Sequence, residues 1–231
     1  MRRIGKHAWG TPKCGISLLD NTWSAVSTDQ DYEFVLARNP YNRVVSLYAE
    51  KVVDVNGNLR RQYNIASDNI IGRERASERQ LRHYCPIDSV SPVRDLSFKT
   101  FCLNLSQRFV NGGDAHVRKQ CDGAPERKFD DVLWVSDLPE CFDIPVKKLG
   151  ITLDTSKENL EKKGSHPTGP CHFTPRLDEL NSLENPWDIT VQQWWDLGAF
   201  PSNYDVLYND EIRDTVYNLY KDDFEFFGLE K

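Results

Sequence analysis

The sequence predicts an α/β fold, a single domain spanning residues 1–231 with a central parallel sheet flanked by helices, and three observations predict it. Short β-prone apolar runs alternate with stretches of helical periodicity, the order that joins parallel strands through helices. Two strand-to-helix junctions, near Lys13 and Arg38, put a cation beside a proline, and open α/β sheets bind their ligands at such carboxyl ends of strands. The length of 231 residues suits one domain with a full core.

The first strand is expected over Arg2 to Trp9 and the first helix over Ser17 to Trp23, with Pro12 and Gly15 bending the chain between them. This P-loop-like strand-loop-helix unit would offer an anion the N–H groups of Cys14, Gly15, Ile16, Ser17 and Leu18, the charge of Lys13 and the hydroxyl of Ser17. It departs from the standard nucleoside-triphosphate loop, in which the lysine follows the second glycine, because Lys13 precedes Gly15. Taken alone, the segment reads as a surface lysine beside an ordinary turn.

The second strand is expected over Tyr32 to Ala37, after which Asn39 and Pro40 suit the N-cap and first position of a helix running to Val53. On that helix Arg43 and Ser46 share a face, and Val44, Leu47 and Tyr48 form the apolar side. Arg38, just before the first turn, can grip a phosphate in bidentate fashion. Pairing of Arg38 and Arg43 with surface carboxylates is the simpler alternative. Two anion sites at the ends of successive strands nevertheless suit a ligand with two separated phosphate-type groups.

A polar insert over Asp54 to Pro92 follows, then a helix from Phe98 to Phe109, a loop bearing His116, a strand from Asp131 to Val135 and a helix from Leu138 to Leu149. Asp137 and Glu140 have capping-box spacing for that last helix, Pro145 interrupts it, and Gly150 is placed to end it. Residues 162–175 form a Pro/Gly/Ser-containing stretch at the limit of about 12 to 15 residues beyond which structureless connections are uncommon, and are read as a lid. The aromatic tail is expected to pack the last helix, while the adjacent Trp194 and Trp195 cannot both face one core. In the segment from Arg73 to His83, Glu74 and Glu78 make a solvated helix with internal ion pairs the simpler reading. Arg75, Arg79 and Arg82 lining a groove for an acidic sugar is the alternative.

Pro12 to Ser17 reads Pro-Lys-x-x-x-Ser, and Arg38 to Tyr48 reads Arg-x-Pro-x-x-Arg-x-x-Ser-x-Tyr. With this pair of motifs the chain resembles the sulfotransferases that use 3′-phosphoadenosine 5′-phosphosulfate (PAPS), and more closely the carbohydrate sulfotransferase (family 2) branch. The resemblance extends through Leu96 to Phe101, Asp114 to Gln120, Phe129 to Val135 and Tyr220 to Gly228. It is broken where Val117 replaces a tryptophan and where Ser136-Asp137-Leu138 replaces an acid followed by Thr-Leu.

The resemblance implies a PAPS co-substrate, with 3′,5′-adenosine bisphosphate as product. Pro12, Lys13, Cys14, Gly15, Ile16, Ser17 and Leu18 would hold the 5′-phosphosulfate, Arg38, Arg43 and Ser46 the 3′-phosphate, and Lys163, Gly164 and Ser165 would close over the nucleotide. The implied reaction moves the sulfuryl group in line to an acceptor hydroxyl, that of a carbohydrate in this branch, with Lys13 and Ser17 stabilising the leaving phosphate. His116 is the first candidate for the general base, with Asp114 orienting it and His7, His83 and His166 in reserve. No metal is required, since side chains supply the positive charge. The alternatives are a 3′-phosphoadenosine-binding protein without turnover and a P-loop-type nucleotide kinase.

A net charge of −6 disfavours nucleic acid as a partner. No stretch approaches the ~18 consecutive apolar residues of a membrane span, and the first strand and lysine loop occupy the place of a secretory signal. A cytoplasmic, soluble enzyme of bacterial or viral type is expected, with Met1 directly before the first strand; an excised lumenal domain of a Golgi enzyme is the alternative. The six cysteines are scattered without a C-x-x-C pair and are expected as reduced thiols.

Overall fold

The computed structural model describes residues 2–3, 14–19, 22–27, 34–53, 93–105, 107–112, 117–122, 129–137, 140–149 and 176–231. The described strands are β1 (Arg2–Arg3), β2 (Cys14–Leu19), β3 (Thr22–Ser27), β4 (Phe34–Ala37), β5 (Asp131–Trp134), β6 (Arg176–Leu177) and β7 (Phe200–Pro201). The described α-helices are α1 (Pro40–Tyr48), α2 (Phe98–Asn104), α3 (Gln107–Gly112), α4 (Asp143–Leu149), α5 (Val191–Leu197), α6 (Asp210–Leu219) and α7 (Lys221–Phe227). This mixture of helix and strand, with two parallel strand pairs, β4–β5 and β6–β7, is compatible with the α/β class. The chain divides into two compact units, one of Met1–Asn39, Gln120–Gly169 and Glu225–Glu230, the other of Pro40–Lys119, Pro170–Phe224 and Lys231.

In the first unit, β4 and β5 pair in parallel, from Phe34 opposite Asp131 to Ala37 opposite Trp134. Phe34, Val35, Ala37 and Leu133 are buried, whereas Val132 on β5 is exposed. The helix expected over Ser17 to Trp23 is not formed. Instead β2 runs antiparallel to β3 in a register from Cys14 opposite Ser27 to Leu19 opposite Thr22, and β1 adds to the other edge of β2. The sequence explains this outcome. Asp20 and Asn21 separate the two strands, a two-residue spacing and a residue pair suited to a hairpin turn, and Asp, Asn and Thr are weak helix formers. Thr22, Trp23 and Val26 then favour extended chain.

The helix expected from Leu138 begins only at Asp143, after two 3₁₀ turns over Val135–Asp137 and Glu140–Phe142. Pro145 sits in the first turn of α4, where a missing N–H costs nothing because it has no intrahelical partner. The Cys141 thiol donates to the Trp134 carbonyl at 3.5 Å, and burial pushes its pKa up.

The core of the second unit is aromatic. The α1 helix buries Tyr41, Val44, Val45, Leu47 and Tyr48, and the chain continues as a π-helical turn over Ala49–Val53. Tyr48 is wholly buried, edge-on to Phe98 at 5.3 Å and tilted against Phe101 at 5.4 Å, and its hydroxyl donates to the Leu96 carbonyl at 3.2 Å. The same carbonyl accepts the Val191 N–H at 2.9 Å. Ser97 caps α2 through the Thr100 N–H, and Thr190 with Gln193 forms a capping box on α5. The single helix expected over Phe98 to Phe109 is broken at the extended Leu105, where Asn104 turns its side-chain amide onto the Thr100 carbonyl at 2.8 Å. Trp194 is fully buried against Phe200 at 4.9 Å, whereas its neighbour Trp195 donates its indole N–H to the Val53 carbonyl at 2.8 Å. The two tryptophans thus face different surroundings, as their adjacency demands.

Two further buried phenols tie distant segments together, Tyr208 to the Tyr41 carbonyl at 2.8 Å and Tyr220 to the Val117 carbonyl at 2.6 Å. Burial pushes Tyr48 and Tyr208 well above the ordinary phenol value of 10.0 and raises Tyr220 as well. A raised folded-state pKa contributes stability that is complete below the unfolded value and is lost as pH climbs beyond it, because only the unfolded chain then releases its protons. The urea midpoint should therefore be level to about pH 9.5 and fall above about pH 10, with a shallower fall in Tyr220→Phe. A wild-type midpoint still level at about pH 11 would contradict this assignment.

Candidate functional site

Arg38 follows the last residue of β4, at the carboxyl end of the parallel pair. Its N–H donates to Gln120 Oε1 at 3.0 Å and its carbonyl accepts from Gln120 Nε2 at 2.7 Å. A primary amide carries the same donor and acceptor as a peptide group, so Gln120 acts here as one more rung beyond the β4–β5 ladder. Gln120 is only 5% exposed, so both bonds are screened from water. The arrangement fixes the Arg38 backbone without using its guanidinium. Nearby in the chain, Trp134 at the end of β5 is edge-on to Phe227 at 5.9 Å, and the exposed Ser136 hydroxyl donates to Asp137 at 2.9 Å.

Arg43 and Ser46 belong to the second unit, both half-buried on α1, apart from its fully buried side. Arg43 Nη1 lies 3.8 Å from Asp223 Oδ2, with the aspartate side chain wholly inaccessible and the arginine side chain 12% exposed. Arg43, expected either to hold a phosphate or to pair with a surface carboxylate, thus has a wholly buried carboxylate beside it. One residue earlier, Asp222 Oδ2 lies 2.6 Å from Lys119 Nζ. Asp223 is a site residue that local sequence patterns do not single out. Its one signal is an acidic pair inside the aromatic closing segment Tyr220 to Phe227.

Cys14, Gly15, Ile16, Ser17 and Leu18 lie in β2, with Ser17 in register with Arg3 and Ser24 and Leu18 with Arg2 and Trp23. Backbone N–H groups along a strand alternate in direction, so these five residues do not present the convergent donors of a helix start. Pro12, Lys13, Asp114, His116, Lys163, Gly164 and Ser165 lie outside the described residues, as do His7, His83, His166, the 54–92 insert and the 162–175 stretch.

Among the described residues no helix is long and apolar enough to cross a membrane, and no cluster of three His, Cys, Asp or Glu side chains could hold a metal ion. Cys102, Cys121 and Cys141 are buried thiols. Replacing Gln120 by alanine strips partners from two main-chain groups at once and should destabilise the protein by about 1–3 kcal/mol in chemical denaturation. Gln120→Glu, which when ionised sets a buried carboxylate against the Arg38 carbonyl, should lose at least as much. A loss within experimental error for Gln120→Ala would show that the clamp contributes nothing.

No family model matches the chain, and no curated protein and no solved structure matches it.

Proposed function

We propose that the protein is a PAPS-dependent sulfotransferase acting on a hydroxyl-bearing acceptor, most consistent with a carbohydrate. The observation that carries this reading is the clamp between Arg38 and Gln120. It pairs Arg38 with Gln120, 82 residues apart, the first residue of one stretch and the last of another that each separately resemble part of a sulfotransferase active site. The position of Arg38 at the carboxyl end of a parallel strand supports the same reading, because that is where such sheets meet their ligands.

In this reading Arg38, Arg43 and Ser46 bind the 3′-phosphate, and Lys13 and Ser17 neutralise charge on the phosphate that leaves when the S–O bond breaks. Electrostatic stabilisation of a leaving oxyanion by a fixed cation contributes on the order of 3–4 kcal/mol. His116 takes the acceptor proton as the new S–O bond forms, so the sulfuryl group passes in line from phosphate to acceptor oxygen. Side chains supply the cationic charge, and the enzyme acts in the cytoplasm.

A second reading, a 3′-phosphoadenosine-binding protein without turnover, is favoured by one specific observation: β2 is a strand where a helix N-terminus would cradle the phosphosulfate. Paired variants separate the two. Lys13→Ala should lower sulfuryl transfer from PAPS about a hundredfold or more while changing affinity for 3′,5′-adenosine bisphosphate by less than about threefold. Arg38→Ala should weaken that affinity about tenfold or more. Equal losses of binding and transfer in both variants would contradict this division of labour. Nucleotide binding with no transfer to any acceptor hydroxyl would favour the second reading.

A further inference from the structure

Gln120 enters no chemical step above, yet it completes the carboxyl end of β4. The β4–β5 register closes on Ala37 opposite Trp134, and the chain of β5 then leaves the strand as the 3₁₀ turn Val135–Asp137. No residue of β5 therefore stands opposite Arg38. Two positions further on, Pro40 opens α1 and has no N–H with which a ladder could continue. Main-chain groups screened from water are costly when unmet. Gln120 meets both of those on Arg38, accepting from the N–H at 3.0 Å and donating to the carbonyl at 2.7 Å. The end of β5 is likewise finished by a side chain, the Cys141 thiol on the Trp134 carbonyl at 3.5 Å.

The chemistry of the clamping group matters as much as its position. A primary amide donates and accepts at once and adds no charge, whereas an ionised carboxylate has no donor and an ammonium no acceptor. Both bonds go to the main chain, so the clamp draws on neither the charge nor the donors of the Arg38 guanidinium. Holding the N–H and the carbonyl of one residue fixes the direction of its Cα–Cβ bond, and that bond is the root of a long arginine arm. A misplacement of about 1 Å in a positioning group can cost on the order of a hundredfold. With Gln120 5% exposed, water competes poorly for either bond, and the root of Arg38 is set before any ligand arrives. This is the gain that preorganisation brings.

We propose that Gln120 is a positioning residue, which sets the direction from which the Arg38 guanidinium meets a ribose 3′-phosphate. The inference rests on the sulfotransferase reading and adds to it a residue that acts on the nucleotide only through Arg38. Its readout is therefore the ratio of affinities for 3′,5′-adenosine bisphosphate and adenosine 5′-phosphate, which differ only in the 3′-phosphate. A merely structural glutamine would alter stability and leave that ratio alone.

The test titrates both nucleotides into the wild-type protein, Gln120→Ala, Arg38→Ala and the double variant. Trp195→Phe serves as a control, because it takes the partner from a different main-chain group, the Val53 carbonyl. In Gln120→Ala the preference for the bisphosphate should fall about fivefold, in Arg38→Ala about tenfold or more, and the double variant should fall no further than Arg38→Ala. Trp195→Phe should keep the wild-type ratio. If Gln120→Ala does not fold, Gln120→Met keeps the length of the side chain without its amide and should lower the same ratio. An unchanged ratio in the Gln120 variants beside a lowered one in Arg38→Ala would overturn the positioning role while sparing the sulfotransferase reading. So would a further fall in the double variant, or an equal fall in Trp195→Phe. A wild-type protein that does not prefer the bisphosphate would overturn both.

Discussion

Buried main-chain groups that no neighbouring strand or helical turn can pair are the constraint on which this structure turns. Among the described residues the parallel pairs are short, four residues a strand in β4–β5 and two in β6–β7, so main-chain groups lie beyond the paired ladders. Side chains take over. In the second unit Tyr48, Tyr208, Tyr220 and Trp195 each donate to a carbonyl far away in sequence, and in the first unit Gln120 serves both backbone groups of Arg38. Each such bond adds only about 1 kcal/mol net, but an unmet buried group would cost about 1–3 kcal/mol. This asymmetry explains the choice of residues, since tyrosine and tryptophan bring a large apolar ring to the core together with one polar tip for the backbone.

The two units fix their candidate phosphate ligands by different means. Arg38 is held through its main chain by a neutral amide, which leaves the side chain's charge unspent by that clamp. Arg43 is held through its charge by a buried acid and through its helix by apolar packing. The first arrangement is insensitive to salt because no net charge takes part. The second lies in a water-poor interior where screening is also weak. Neither depends on the exposed ion pairs, such as Lys148 with Asp131, whose contribution in water is small.

What was legible in the sequence is what local chemistry decides. The apolar run before Arg38 and the Asn39-Pro40 step located β4 and the start of α1 closely, and Asp131 did begin β5. The helical face of α1 was also legible, since the spacing of Val44, Leu47 and Tyr48 matched the side that became buried. Tertiary pairings were not. Pro12 and Gly15 suggested a bend and a helix start, and they masked the hairpin signal of Asp20 and Asn21, while the addition of β1 to the other edge of β2 is settled by pairing across the chain. Likewise the periodicity of α1 placed Arg43 and Ser46 on one face without disclosing Asp223, because that partner comes from a helix near the other end of the sequence. The break at Leu105 escaped for a related reason: no glycine or proline marks it, and the residue leaves the helix in a buried environment.

The central claim, that this chain carries a site for a nucleotide with separated 3′- and 5′-phosphates, is tested most directly by calorimetric titration of the wild-type protein with 3′,5′-adenosine bisphosphate, adenosine 5′-phosphate and ATP, each with and without magnesium. The account predicts that the bisphosphate binds at least about tenfold tighter than either other nucleotide and that magnesium makes no difference. Preference for ATP, dependence on magnesium, or absence of binding to the bisphosphate would contradict it.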